Sequence, residues 1–212
     1  MSADKPLAYG INKMYYAVRS TGQGGTYTYG NPVRLVGARQ VSINAEGSTE
    51  KFYADNGVYY IADSNAGRSG SVEIAGLNDQ ALKDLFGYVT DDNGIVLEDA
   101  GAHAADVALL FECENDGPNP TRFVMYGVKF SRPSEEHNTK EDSVTPDTIS
   151  MDYEAAPVEF AWGSDKKTIV GGHIDYSSDT ATAYNAWYTA VQTPTYSGST
   201  GSTGSTGATA GA

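Results

Sequence analysis

Cysteine is almost absent: Cys113 is the single one in 212 residues, so no intramolecular disulfide and no cysteine-based zinc site can be built. It lies in an apolar run and reads as a small buried hydrophobe rather than a nucleophile. Histidine is nearly as scarce, with His103, His137 and His173 scattered along the chain. Glu135-Glu136-His137 reads as solvated charge, because three neighbouring positions do not converge on one ion without a defined loop. His173, after Gly171-Gly172, reads as part of a turn and is given no role. Cations are outnumbered, 14 Lys and Arg against 27 Asp and Glu, for a net charge of −13. Phosphate backbones are held by cationic neutralisation, so tight nucleic-acid binding is not expected, although work beside DNA that avoids adsorption is compatible with the charge.

Other absences narrow the chemistry. No apolar run approaches 18 residues, so no membrane span is expected. Met1–Tyr16 has no basic segment followed by an apolar core, so it does not read as a signal peptide, and a cytosolic origin follows. There is no G-x-S-x-G elbow, Walker loop or dinucleotide fingerprint. The glycine-bearing Ser20–Gly30 leads to a strand behind Pro32, without the helix N-terminus that holds phosphate. Asp91 with Asp92, and Asp175 with Asp179, lack EF-hand spacing and read as solvent-facing turns. Among 27 acids no pair is singled out for glycoside hydrolysis. No catalytic, cofactor-binding or metal-ligating residue is expected, and a non-enzymatic class follows.

What the chain does hold is tyrosine and glycine, 15 and 24 residues. Tyrosine favours strands and half-dry surfaces, glycine turns and bulges, so the expectation is a β-rich protein with much interface. The length suits one domain, able to bury roughly 70% of its unfolded surface. The stretch Phe52–Gly87 organises the rest. Phe52–Ala54 and Val58–Ile61 are tyrosine-rich strands flanking Asp55-Asn56-Gly57, a strong hairpin signal. Ser64–Ser71 is polar and glycine-bearing and reads as a flexible loop. Val72–Ala75 alternates as a short strand. A helix of about nine residues follows. Asn78 is suited to cap it, Leu77 and Leu82 to staple it, and Gly87 to end it left-handed. Ala81, Leu82, Leu85 and Phe86 share its apolar face.

Elsewhere strands are expected over Met14–Ser20, Val33–Val36 and Gln40–Ala45, the last two about a Gly37-Ala38 turn. Tyr88–Asp99 is a weak pair around Asp91-Asp92-Asn93-Gly94. Ala105–Glu112 is nearly all apolar, as in a strand buried on both faces. Arg122–Ser131 places Val124, Tyr126, Val128 and Phe130 on one face. Ser131–Thr148 is a long polar connection, functional or disordered by its length. Ile149, Met151 and Tyr153 alternate as a half-buried strand. Val158–Trp162 and Lys167–Val170 are further strands, and Ala183–Val191 a short helix. The domain is placed at residues 1–192, with 1–12 an extended arm. Residues 193–212 read as a flexible tail, in which Ser197–Ala212 repeats a Ser-Thr-Gly triplet.

From Asn12 to Pro157 the order of features resembles the major tail proteins, or tail tube proteins, of long-tailed non-contractile phages of Gram-positive hosts. The elements that carry the resemblance are Arg19-Ser20-Thr21, Tyr29-Gly30-Asn31-Pro32-Val33, Gly37-Ala38 before Val41-Ser42-Ile43, and the tetrapeptide Tyr53-Ala54-Asp55-Asn56. They continue with Val72-Glu73-Ile74 running into Leu77…Leu85-Phe86-Gly87, then Val107–Phe111, Arg122–Phe130, Thr139-Lys140-Glu141-Asp142…Asp147-Thr148, and Glu154-Ala155-Ala156-Pro157. The resemblance implies two roughly orthogonal sheets in a barrel-like sandwich with one flanking helix. It implies hexameric rings stacked into a hollow tube through which DNA is ejected without specific binding, with tail tip and tail terminator proteins as partners and no cofactor. It places the protein in the virion tail, after the host cytoplasm. Tyr53, Ala54, Asp55 and Asn56 are the candidate assembly segment, and the loops Ser64–Ser71 and Ser131–Thr148 are candidates to reach a neighbour. The competing reading is a carbohydrate- or receptor-binding β-sandwich in which Trp162 and Trp187 stack on sugars.

Overall fold

The computed structural model describes residues 8–22, 27–135 and 148–196. Its first strands are β1 (Ala8–Thr21), β2 (Tyr27–Tyr29), β3 (Val33–Leu35), β4 (Ala38–Val41) and β5 (Asn44–Glu46). A hairpin of β6 (Thr49–Ala54) and β7 (Gly57–Asp63) precedes β8 (Gly67–Ile74) and helix α1 (Asp79–Phe86). Then come β9 (Val89–Thr90), β10 (Val96–Leu97), β11 (Asp106–Asn115) and β12 (Thr121–Phe130). The chain continues through β13 (Ile149–Ala155), β14 (Val158–Trp162), β15 (Asp165–Ile169), β16 (Gly171–Ile174) and α2 (Ala181–Asn185).

Ten strands form one antiparallel sheet along the path β2-β1-β11-β12-β13-β8-β4, with β3 added to β1, β5 to β8 and β16 to β12. Its two ends belong to neighbours in sequence. β3 pairs with β1 and β4 with β8, and only Val36-Gly37 lies between them. Gly37 takes φ +83 there, and a Cβ would lie 2.6 Å from that of Ala75, so the corner needs glycine. The sheet therefore curls until its ends meet at this corner, but no ladder closes it. The mainly β class expected from the resemblance holds, but its two orthogonal sheets are one curled ten-stranded sheet without barrel closure, accompanied by the two-stranded ribbons β6–β7, β9–β10 and β14–β15.

The interior is built from alternating positions. Met14 and Tyr16 of β1, Val107, Leu109 and Phe111 of β11, Val72 and Ile74 of β8, and Met151 and Tyr153 of β13 fill one core. Helix α1 closes it with Ala81, Leu85 and Phe86. The helix caps are those the sequence specifies. Asn78 Oδ1 accepts from Ala81 N at 2.8 Å, and Gly87 takes φ +72. Gly87 N–H donates to Lys83 O and Tyr88 N–H to Leu82 O, satisfying carbonyls the helix end leaves open. Tyr16 Oη donates to Asp84 Oδ2 at 2.7 Å and pins the helix to β1.

A second core lies on the other face of β11 and β12, where Ala108, Leu110, Val124 and Tyr126 meet Val158, Phe160 and Trp187. β11 is thus buried on both faces, as its apolar run requires. β12 departs from its expected single face. Val124 and Tyr126 belong to the second core, Val128 and Phe130 to the first. Gly127 at φ +57 is the reason, since the β11–β12 register slips between Val107 and Leu109 and alternation inverts across the bulge.

Other expectations change as well. The described part of the arm expected over residues 1–12 is the beginning of β1, paired with β11 from Ala8. The loop expected over Ser64–Ser71 is a strand from Gly67, paired with β13 on one edge and β5 on the other. His173 lies in β16, its ring 5.9 Å from that of Phe123, and not in a turn. The terminal helix is shorter and earlier than Ala183–Val191. Cys113 is half-buried against the first core, and burial raises its thiol pKa. Most of the Ser131–Thr148 connection, residues 136–147, and the tail from 197 onwards lie outside the described residues.

Candidate self-association surfaces

The tetrapeptide Tyr53-Ala54-Asp55-Asn56 forms the tip of the β6–β7 hairpin. Asp55 and Asn56 sit at φ +50 and +64, so both central residues are left-handed and the turn has the hand that matches strand twist. Ala54 pairs with Gly57, so the central pair is Asp-Asn and Gly57 already belongs to β7. Asp and Asn tolerate this conformation better than other non-glycine residues.

The hairpin leaves the sheet as an arm. Ser48 and Ser64 bond each other across its root, and beyond them every residue except Ala54 is exposed. Phe52, Tyr53, Val58, Tyr59, Tyr60 and Ile61 are 47–75% exposed. At roughly 200 Å² per side chain this is on the order of 700 Å² of largely apolar surface. Both faces carry it: Phe52 lies opposite Tyr60 on one, Tyr53 opposite Val58 on the other. Phe52 and Tyr59 touch edge to face at 6.5 Å. A contiguous apolar surface of this size marks an interaction site.

A second surface is the uncovered outer face of β13, β8, β4 and β5. Reading across the ladders, Glu154 stands beside Ser69 and Asn44, Asp152 beside Ser71, and Ser150 beside Glu73 and Gln40. Ser42 Oγ bridges to Ser71 Oγ at 2.9 Å. Small hydroxyl, amide and carboxylate groups alternate here with core residues pointing the other way. Gly70 lets the strands approach: a Cβ would meet Ser42 O at 2.0 Å and the Tyr153 hydroxyl at 2.8 Å. That hydroxyl donates to Ser42 O, and burial pushes its pKa up to about 12.

The most buried charges lie elsewhere and have a structural task. Glu112, side chain 1% exposed, meets Lys13 Nζ at 2.8 Å and Arg122 Nε at 3.1 Å. The lysine contact is one of charge rather than an aligned hydrogen bond. Tyr188 donates to Glu112 Oε2, and Arg122 donates to the Tyr184 carbonyl. Burial and the neighbouring carboxylate both raise the Tyr188 pKa. Tyr188 stacks on Tyr15 at 4.4 Å. The network straps the C-terminal segment to the sheet. Among the described residues no three His, Cys, Asp or Glu side chains come together as metal ligands would.

The arm aromatics beyond the tetrapeptide, Phe52, Tyr59, Tyr60 and Ile61, carry most of the exposed surface. Their signal in the sequence is the failure to alternate: Val58-Tyr59-Tyr60-Ile61 is apolar at every position, so one face cannot be solvated without exposing hydrophobic groups. Of the two tryptophans offered as sugar platforms, Trp187 is buried and Trp162 stacks on Tyr196 at 5.2 Å.

The molecule is a curled antiparallel shell with an apolar arm, its buried charges committed to internal bonds, and the family it matches is structural rather than enzymatic. A model of the phage tail tube protein family matches residues 18–192, and the chain belongs to that family. Its place is the virion tail. Among solved structures it is similar to a chain of the anti-feeding prophage baseplate, determined by cryo-electron microscopy and 6-fold symmetrised. Identity is 9%, over 80% of this chain and 98% of that one, with a TM-score of 0.41. It is also similar to Hcp1 from Flavobacterium johnsoniae, at 11% identity over 74% of this chain and 100% of that one, TM-score 0.31. No curated protein matches.

Proposed function

We propose that the chain is the major tail tube subunit, which joins copies of itself into rings, six to a ring, that stack as the hollow tube through which phage DNA is ejected. The observation that carries this reading is the arm. It presents apolar surface on both faces close to the roughly 800 Å² each partner contributes to a stable interface, in a protein whose core is already full. A family of tube proteins offers one abundant partner, the same chain. Within a ring, the outer edges of β2 and of β4 and β5 lack ladder partners among the described residues, and pairing them between neighbours would remove exposed edges.

The polar face supports the passage of DNA. Asp152 and Glu154, set among serines and amides, repel a phosphate backbone and hold water, while Arg39 pairs with Glu73 at 2.9 Å and Lys129 stands beside Glu154. Turned to the lumen, this face lets the genome slide without adsorbing. Assembly before ejection takes place in the host cytoplasm and needs tail tip and tail terminator proteins to start and end the tube.

The test is electron microscopy of the purified chain, alone and with tail tip components, beside the Tyr59→Ser/Tyr60→Ser variant. The native chain is expected to give rings or tubes with six-fold end views, and the variant a folded, unassembled protein. A native chain that stays monomeric even with tail tip components overturns the reading. The exposed aromatics of the arm also suit a carbohydrate-binding platform, and a glycan array distinguishes the two, since a tube subunit retains no sugar.

A further inference from the structure

The arm needs a counterpart, and the molecule carries an apolar surface of matching chemistry at the other end of β8. β9 and β10 form a two-stranded ribbon with Val89 opposite Leu97. Ile95, two residues before Leu97, falls on the same face by strand alternation. These three side chains are 50%, 45% and 54% exposed, while Val96, pointing the other way, is half-buried. The ribbon is held firmly. Asp91 Oδ1 accepts from Asn93 N and Ile95 N at 2.9 and 2.7 Å. Arg132 donates to Glu98 and to the carbonyls of Asp99 and Ala102, tying the following loop to the end of β12. Nothing in this bracing requires three aliphatic groups in water.

Position makes the pair informative. The arm springs from the Gly67 end of β8, where β5 pairs through Glu46. The chain reaches the ribbon through α1 from the Ile74 end, and Ser134, two residues beyond Arg132, bridges to Ser150, itself opposite Glu73 at that same end. The two roots are seven residues apart along the strand, roughly 23 Å at its rise. A knob at one end and a receiving surface at the other cannot satisfy each other within one molecule. Between copies they make a head-to-tail contact that repeats without closing, which is how a filament grows.

We infer that the β6–β7 arm of one copy docks on the Val89/Ile95/Leu97 face of a second copy, and that this contact stacks one layer of the tube on the next. The inference rests on the self-assembly proposed above and assigns its axial junction. The areas agree: one face of the arm offers on the order of 350 Å², and three half-exposed aliphatic side chains about 250 Å². The other face of the arm is left for an adjoining copy. Charge opposes the contact, since the arm carries Glu50, Asp55 and Asp63 against one cation, Lys51, and Asp91, Asp92 and Asp99 flank the ribbon. Screening that repulsion strengthens the junction.

Two variants test it, each changing exposed side chains and first shown to melt like the native chain. Phe52→Ser/Tyr60→Ser strips the two aromatics that lie opposite each other on one face of the arm and leaves the other face intact, and Val89→Ser/Leu97→Ser removes the receiving surface. Each alone is expected to stop elongation at a single layer. Mixed, they have one complete junction per pair, so native mass spectrometry should show a species of twice the single-layer mass and nothing longer. Native-length tubes from Val89→Ser/Leu97→Ser, or no doubled species on mixing, would overturn the docking while leaving self-assembly intact. Failure of the native chain to assemble overturns both. Native elongation should quicken several-fold from 0.05 to about 0.5 M salt as repulsion is screened, and elongation that slows with salt would refute an apolar junction.

Discussion

Glu112 illustrates a residue whose meaning lies in its partners. Its sequence setting, Leu110-Phe111-Glu112-Cys113, marks an acid at the end of an apolar run but does not reveal Lys13, Arg122 and Tyr188 around it. Removing it leaves two cations without their acid, one of them deeply covered, and breaking a buried pair in this way costs about 3–5 kcal/mol. Glu112→Ala should therefore lower the denaturation midpoint sharply, and Glu112→Gln less, in chemical unfolding followed by tryptophan fluorescence from Trp187. Gly127 is the second such residue. At φ +57, with Ala156 O and Val158 Cγ2 within 2.7 Å of any Cβ, Gly127→Ala should cost at least ~1–3 kcal/mol by the same measurement. A glycine inside an apolar strand is a bulge signal, and at Gly127 that signal was legible while the face-switch it causes was not. Asp91 offers a pH test. The Ile95 and Asn93 bonds hold its carboxyl below the ordinary value of 3.8. A depressed carboxylate pKa stabilises the ribbon above the unfolded value, and that contribution disappears as pH falls through the folded one. Carboxyl NMR titration should place Asp91 below 3.8, and Asn93→Ala should raise it.

Helix α1 was legible almost atom by atom, because capping is local chemistry: an acceptor three residues before an orphan N–H, and a glycine where the backbone turns left-handed. Asn78→Ala should lower stability by about 1 kcal/mol, read as a shift in the thermal midpoint. The β6–β7 hairpin was legible as a hairpin for the same reason. Its exposure was not, since apolar strands ordinarily signal burial, and whether they are buried within the chain or between chains is settled only by what else packs nearby. β8 failed in the opposite direction. Ser, Gly and Arg over Gly67–Ser71 resemble a loop by composition, but a strand with one wet face accepts small polar groups there, and Gly70 is required by the approach of Ser42 and Tyr153.

For the whole molecule, the proposed function asks a strongly acidic subunit to pack against copies of itself and let a polyanion pass. The two tasks fall on different surfaces, the apolar arm and ribbon on one hand and the polar face of β13 and β8 on the other. Asp152→Asn/Glu154→Gln, on the polar face, should leave tube assembly unchanged and slow the release of DNA from virions, measured by dye-reported ejection. Unchanged ejection kinetics would separate this face from the lumen. The excess of negative charge also keeps free subunits apart in solution.

The sequence by itself determined the β-rich class, the capped helix, the doubly buried β11 and the hairpin turn. Each is set by periodicities and backbone preferences within a few residues. Only the tertiary structure decided that the sheet is one curled piece, that β12 changes faces at Gly127, that Glu112 meets two cations, and that two apolar surfaces lie at opposite ends of β8. Those depend on pairings between residues tens of positions apart. Hydrophobicity is a property of a side chain, whereas burial is a property of everything that surrounds it.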